Sequence, residues 1–101
     1  MAVINVTYDN FEEVKNSKKT VLIDFYADWC GPCRMMSPII DSIAEENPDL
    51  LVGKVNVDNE GELSQAFGVM SIPTIVVMKD GKVVNKSAGA RPKSEILAML
   101  K

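Results

Sequence analysis

Short runs of apolar residues predict five strands along the chain. The run over residues 20–27 is almost wholly apolar and rich in β-branched and aromatic side chains, which is typical of a strand covered on both faces. Residues 74–78 and 82–88 predict an antiparallel pair, because the Asp80-Gly81 dipeptide between them favours a tight hairpin turn. The predicted strands are residues 2–6, 20–27, 50–57, 74–78 and 82–88.

Apolar residues spaced about one helical turn apart predict helices between these strands. The longest begins near Pro32 and ends before Pro48. Pro38 lies inside it and should bend the helix rather than end it, because the apolar pattern continues past this residue. The inward face of this helix is predicted to carry Met35, Met36, Ile39, Ile40, Ile43 and Ala44.

Two shorter helices are predicted from polar residues that can cap a first turn. Asp9 with Glu12, and Asn59 with Glu62, have the spacing of a capping box. Gly68 is expected to close the second of these helices. The apolar side chains that these helices would bury are Phe11, Val14, Leu63, Ala66 and Phe67.

A last helix is predicted from Pro92, which suits a first helical position, with Ile96, Leu97 and Leu100 facing inward. The order of elements along the chain is then βαβαβαββα, an α/β arrangement with a mixed sheet. The length of 101 residues favours a single domain over residues 1–101.

The composition is that of an ordinary globular protein, with 47% hydrophobic and 25% charged residues. The net charge is −3 and the signs are interspersed, so no basic stripe favours binding to nucleic acid or to an anionic membrane. The apolar runs are much shorter than the roughly 20 residues that span a bilayer, and the N-terminus lacks an apolar leader. We therefore expect a cytoplasmic protein that binds neither nucleic acid nor membrane.

The chain contains no histidine, which excludes several kinds of catalytic site. Ser-His-Asp and Cys-His nucleophilic mechanisms need imidazole, as do many metal sites. The chemistry must therefore come from cysteine, carboxylate or lysine side chains.

The chain has two cysteines, Cys30 and Cys33, and two residues separate them. A permanent bridge between them would close a very small ring and would remove little entropy from the unfolded chain. A zinc site usually needs four ligands, whereas this chain offers one cysteine pair. A reactive pair is therefore favoured over a structural bridge and over a metal site, and no bound metal is expected.

The segment Trp29-Cys30-Gly31-Pro32-Cys33 lies where the strand over residues 20–27 meets the longest helix. In this segment, and along nearly its whole length, the chain resembles the thioredoxin family. The resemblance implies the thioredoxin fold, in which a central mixed sheet is flanked by helices on both faces. The matching segments are residues 24–34, Pro38, residues 54–58, residues 72–74, Asp80-Gly81 and Gly89-Ala90.

The resemblance also implies an activity, the reduction of disulfides in substrate proteins by a Cys30/Cys33 dithiol that serves as an electron carrier. No cofactor would be bound, because a separate thioredoxin reductase, a flavoenzyme that uses NADPH, would restore the dithiol. The residues between the cysteines, Gly31 and Pro32, resemble those of the reducing members of the fold. The protein is also expected to be a monomer. Two alternatives stay open: a disulfide-forming or isomerising enzyme, and a noncatalytic binding subunit.

Different roles for the two cysteines follow from their places at the start of a helix. Residues three apart at that point lie about 5 to 6 Å from each other, within reach of a disulfide. Cys30 precedes the helix, whose free N–H groups and positive dipole end favour a thiolate, so Cys30 is the expected nucleophile. Cys33 should be more buried, keep a higher pKa and act as the resolving cysteine.

Asp24 is a carboxylate inside an apolar strand, where an ionised side chain is costly without a partner. Lys54, on a neighbouring predicted strand, is the candidate cation. The simplest explanation of the two residues is an internal ion pair. Burial would also raise the pKa of Asp24 towards neutrality, as a base for the Cys33 thiol requires. The resemblance assigns Asp24 and Lys54 to that role.

Most bonds before proline are trans, but the resemblance implies a cis bond between Ile72 and Pro73. Such a bond would turn the chain beside the cysteines and leave the Ile72 backbone free to pair with an extended substrate segment. The expected docking rim consists of Trp29, Ile72, Pro73, Gly89 and Ala90. Packing or turn geometry explains each of these residues equally well when it is taken alone.

Overall fold

The computed structural model describes residues 3–101, so Ala2 of the first predicted strand lies outside the described residues. The elements follow one another in the predicted order βαβαβαββα. The strands are β1 (Val3–Asn5), β2 (Thr20–Tyr26), β3 (Leu50–Asn56), β4 (Thr74–Lys79) and β5 (Lys82–Ala88). The helices are α1 (Phe11–Lys15), α2 (Gly31–Glu46), α3 (Gly61–Ala66) and α4 (Lys93–Met99).

The five strands form one mixed sheet in the order β1-β3-β2-β4-β5. β3 runs parallel to both β1 and β2, whereas β4 runs antiparallel to β2 and to β5. β2 is therefore the central strand, which explains its nearly continuous apolar sequence. In this register Asp24 lies opposite Lys54 of β3 on one side and Ile75 of β4 on the other.

Helices cover both faces of the sheet, as the resemblance implied. On one face, Val21, Ile23 and Phe25 of β2 pack with residues of α1 and α3. On the other face, Leu22 packs with residues of α2 and α4. Because side chains alternate along a strand, Asp24 shares the face of Leu22 and lies on the side of α2.

Two of the helix starts differ from the predicted capping boxes. α1 follows Asn10 rather than Asp9, and the Asn10 side chain accepts a hydrogen bond from the Thr7 N–H at 2.8 Å instead of capping the helix. α3 follows Glu60 rather than Asn59, and the Glu60 carboxylate accepts from the Tyr8 N–H at 2.9 Å. Contacts with neighbouring segments thus occupy the side chains nearest the two helix starts.

Two further predictions about helices need correction. Pro92 is the residue before α4 and not its first residue. Met35 of α2 is 73% exposed, whereas Met36, Ile40 and Ile43 are buried against the sheet. The buried face of α2 is therefore narrower than the apolar pattern indicated. The helix itself runs through Pro38 as predicted.

The predicted turns around glycine are present. Asp80 and Gly81 both have positive φ, 54° and 77°, as a two-residue hairpin turn of type I′ requires. Gly68 ends α3 as expected, since the Gly68 N–H donates to the Gln65 carbonyl and the Val69 N–H donates to the Ser64 carbonyl. These bonds fix the direction in which the chain leaves α3 and approaches Pro73.

No helix within residues 3–101 is both long and apolar enough to cross a membrane.

Candidate active site

A disulfide between Cys30 and Cys33 lies at the N-terminus of α2. Cys30 is the residue that precedes the helix, with extended backbone angles of φ −88° and ψ 112°, and Pro32 lies in the first turn. The two Cα atoms are 5.3 Å apart, within the range expected for residues at these positions. The start of the helix thus holds both sulfurs in place.

The helix N-terminus acts directly on the Cys30 sulfur. Cys30 Sγ accepts a hydrogen bond from the Cys33 N–H at 3.2 Å. That N–H is one of the groups that have no partner within the helix, and the positive end of the helix dipole lies beside it. A negative charge on Cys30 Sγ, which forms when the disulfide is reduced, is stabilised by both features.

The burial of the two cysteines differs less than the sequence suggested. Cys30 is 5% exposed and Cys33 is 3% exposed, so the expected contrast in exposure is nearly absent in the disulfide form. The residues between them, Gly31 and Pro32, are exposed. The distinction between the cysteines therefore depends on the helix terminus and not on exposure.

The chain turns beside the disulfide at a cis Ile72-Pro73 bond, as the resemblance implied. Cys30 Sγ lies 4.0 Å from the carbonyl oxygen of Ile72. Within residues 3–101, neither the N–H nor the carbonyl of Ile72 makes a backbone hydrogen bond. The Pro73 carbonyl, in contrast, accepts from the Gly89 N–H at 2.8 Å, and Gly89 has a φ of +94° that favours glycine.

An apolar groove with a volume of about 350 Å³ adjoins this turn. Trp29 and Ile72, both predicted for the docking rim, lie in it, and Trp29 is 68% exposed. Of the other predicted members, Pro73 is buried, and neither Gly89 nor Ala90 lines the groove. The lining residues are Trp29, Val57, Ser64, Val69, Met70, Ser71 and Ile72.

Several residues in and beside the groove were not predicted from the sequence. Val69 and Met70 were detectable in principle, because they form a short apolar pair between the helix-closing Gly68 and the Ile72-Pro73 turn. Asp58 was also missed: its Oδ2 accepts a hydrogen bond from Trp29 Nε1 at 2.9 Å. The position of Asp58 just after β3, beside the end of β2, was the available signal, since the ends of parallel strands meet at one edge of a sheet.

Asp24 is buried, as predicted, and its Oδ1 has no hydrogen-bond partner. Burial raises the pKa of Asp24 from 3.8 to about 7, and the positive charge of Lys54 opposes part of this increase. Lys54 makes no ion pair with Asp24 within 4.0 Å, so the simple internal ion pair is not formed. Lys54 Nζ lies instead 5.4 Å from the centre of the Tyr26 ring.

A second cleft joins Asp24 to the disulfide. It has a volume of about 200 Å³, and Asp24, Cys33 and Lys54 all line it. A volume of this size has room for water, which needs a cavity of only about 10 to 15 Å³. The structure thus brings three of the predicted residues, Asp24, Cys33 and Lys54, together around one space that is large enough for water.

No group of three or more cysteine, aspartate or glutamate side chains within residues 3–101 is arranged to hold a metal ion.

Comparison with known proteins agrees with this site and fold. The family model described as Thioredoxin matches residues 2–101. The chain is 43% identical over 100 residues to a protein named Thioredoxin from Alicyclobacillus acidocaldarius, covering 98% of this chain and 95% of that protein. It is 45% identical over 101 residues to a Thioredoxin from Mycobacterium bovis, covering 98% and 87%. A Thioredoxin from Pyropia yezoensis is 44% identical over 102 residues, covering 99% and 95%.

The family match covers the residues that form the disulfide, the cis Ile72-Pro73 bond and the mixed sheet of this structure. The chain therefore belongs to the thioredoxin family and is a thiol–disulfide oxidoreductase that acts on protein disulfides.

Proposed function

We propose that Cys30 attacks the substrate disulfide and that Cys33 completes the reduction. The Cys30 thiolate forms a mixed disulfide with one substrate sulfur, and the other substrate sulfur leaves as a thiolate. Cys33 then loses its proton and attacks Cys30 Sγ, which releases the first substrate sulfur and forms the Cys30–Cys33 disulfide. Two electrons pass from the cysteine pair to the substrate.

One observation supports these roles above the others: the hydrogen bond from the Cys33 N–H to Cys30 Sγ at the start of α2. It favours the thiolate at Cys30 and not at Cys33. Cys30 Sγ also lies close to the open backbone of Ile72, where a substrate would be held. Exposed Gly31 and Pro32 leave space for a substrate protein to approach.

Asp24 is proposed as the base that accepts the Cys33 proton. A carboxylate with a pKa of about 7 is suited to accept a proton near neutral pH. The shared cleft gives a path from Cys33 to Asp24 through water. Lys54, opposite Asp24 in the register, lowers the pKa of Asp24 and so keeps part of the population ionised.

Substrate docking is proposed to combine a backbone contact with an apolar contact. The free N–H and carbonyl of Ile72 would pair with an extended substrate segment, as an added strand does at a sheet edge. Trp29 and the apolar groove beside it would cover a substrate side chain. Pro73 and Gly89 would act by holding this backbone in place, and exposed Ala90 would lie at the margin of the contact.

Proteins of this family carry no prosthetic group, and disulfide-containing proteins and a reductase are their general partners. We propose that a flavoenzyme reductase, using NADPH, returns this chain to the dithiol, and that no cofactor binds the chain itself. A reductant of this kind acts where thiols are kept reduced, so the cytoplasm is the proposed compartment. The single sheet with both faces covered supports one domain over residues 1–101, which would work as a monomer.

Turnover of a protein disulfide tests this function against the binding-subunit alternative. With dithiothreitol as the electron donor, the wild type should reduce insulin repeatedly, and Cys33→Ser should lose multiple turnover because the mixed disulfide is not resolved. Equal turnover by both proteins would contradict the dithiol mechanism. Equilibration with glutathione decides the direction: a reduction potential close to that of a strong oxidant would favour the disulfide-forming alternative.

A further inference from the structure

Met70 is the most exposed large apolar side chain within residues 3–101, at 98%. A single exposed apolar residue on a protein surface needs no special explanation. Met70, however, lies in the groove that also contains Trp29 and Ile72, next to the reactive disulfide. Met70 is therefore exposed beside the cysteine that would react with a substrate.

The backbone around this methionine is fixed, although its side chain is free. Lys86 Nζ donates to the carbonyl oxygens of Phe67 at 2.7 Å and Gly68 at 3.0 Å. On the other side, Thr74 Oγ1 donates to the Ser71 carbonyl at 2.6 Å. The thioether is thus presented from a segment that is anchored at both ends, while its rotatable bonds let it fit side chains of different shape.

The groove has the chemistry of an apolar subsite. None of its seven described lining residues is charged, and its volume of about 350 Å³ lies near the lower end of the roughly 300 to 1,000 Å³ of ligand pockets. Cys30 Sγ and the Ile72 carbonyl, 4.0 Å apart, place the attacked sulfur beside this subsite. A side chain close in sequence to the attacked cysteine would therefore enter the groove.

We infer that Met70 determines the substrate preference of this site. It selects disulfides that are flanked by a large apolar residue, because the thioether covers that residue against Trp29 and Ile72. The inference rests on the proposed docking of substrate beside Cys30. It adds a substrate class, namely extended segments with an apolar side chain next to the reactive cysteine. It also names Met70 as the residue that distinguishes these segments from charged ones.

The test uses four cyclic peptides, each closed by one disulfide, that differ only at the residue beside one cysteine: leucine, serine, lysine or glutamate. For the wild type, kcat/KM should be highest with the leucine peptide. Met70→Ser should lower the leucine-to-serine ratio of kcat/KM about five-fold, since part of the leucine surface is no longer covered. Met70→Lys should shift the preference towards the glutamate peptide over the lysine peptide.

Met35 provides the matched control, because it is 73% exposed and does not line the groove. Met35→Ser and Met35→Lys should leave all peptide ratios as in the wild type, and circular dichroism should show that all four variants are folded. Unchanged ratios in the Met70 variants, or equal changes in the Met35 variants, would overturn this inference alone. Failure of the wild type to reduce any of the peptides or insulin would overturn the proposed function as well.

Discussion

Replacing the buried carboxylate of Asp24 by an amide should make the protein more stable at neutral and alkaline pH. Asp24 lies on the central strand with one oxygen that has no hydrogen-bond partner, and burial raises its pKa to about 7. Asp24→Asn keeps the shape of the side chain and removes the charge. The ionised form of Asp24 is destabilising in the folded state, so its removal should increase the free energy of unfolding.

The size and pH dependence of this effect follow from the pKa. A carboxyl whose pKa is higher in the folded than in the unfolded state stabilises the fold below the unfolded pKa, and this contribution is lost as the pH rises through the folded pKa. For Asp24 the window runs from 3.8 to about 7. A difference of about three pKa units, at about 1.4 kcal/mol each, corresponds to roughly 4 kcal/mol. We expect Asp24→Asn to gain roughly 2 to 4 kcal/mol at pH 8 and almost nothing below pH 4.

Urea unfolding of the disulfide form at pH 3.5, 6 and 8 measures this gain, because the cysteines do not titrate while they are bonded. Asp41→Asn on the exposed side of α2 is the matched control, and its free energy of unfolding should change little at any of these pH values. Asp24→Asn should also slow the release of substrate by Cys33 more than the initial attack by Cys30, because only the first of these steps needs the base. A loss of stability at pH 8 together with unchanged kinetics would refute the role assigned to Asp24.

Three further predictions concern the surroundings of the disulfide. In the reduced protein, brief iodoacetamide treatment at pH 7 should alkylate Cys30 before Cys33, as measured by peptide mass spectrometry, because the helix terminus favours the Cys30 thiolate; equal labelling would contradict this. Lys86→Met removes the donor to two carbonyls at the end of α3, so it should lower the free energy of unfolding in urea by about 1 kcal/mol. It should also raise KM for insulin more than it lowers kcat; an unchanged KM would show that Lys86 contributes to stability alone. Gly89→Ala has space for its methyl group but imposes a φ of +94° on alanine, so it should cost about 1 to 2 kcal/mol in the same assay; no change would show that the turn relaxes.

The sequence predicts the layered fold well because its strongest patterns coincide with the largest buried surfaces. β2 is apolar apart from Thr20 and Asp24 and is central in the sheet, and α2 repeats apolar residues once per turn and packs along it. The Asp80-Gly81 turn is equally predictable, since few residue pairs adopt positive φ at two successive positions. In these cases the local preference and the tertiary environment favour the same structure.

The predictions and the structure differ where tertiary contacts, rather than local sequence preferences, determine the structure. The spacing of Asp9 and Glu12 fits a capping box, but Asn10 is the residue that precedes α1, so the helix begins one residue later than predicted. The Asn10 side chain accepts a hydrogen bond from the Thr7 N–H. At the site, the cysteine pair and Asp24 are visible in the sequence because each departs from its surroundings. The sequence signal for Asp58 and Met70 is weaker, because their proximity to Trp29 also depends on how separate strand ends and loops meet in the fold.

The central claim, that Cys30 attacks and Cys33 resolves, is tested most directly by trapping the mixed disulfide. Reduced Cys33→Ser and reduced Cys30→Ser are each mixed with a protein that contains an accessible disulfide, quenched with acid, and analysed by intact-mass spectrometry without reductant. We predict that Cys33→Ser accumulates a covalent adduct through Cys30, because attack proceeds and resolution does not. Cys30→Ser should form little or none. Adducts of equal yield from both variants, or none from Cys33→Ser, would contradict the assignment.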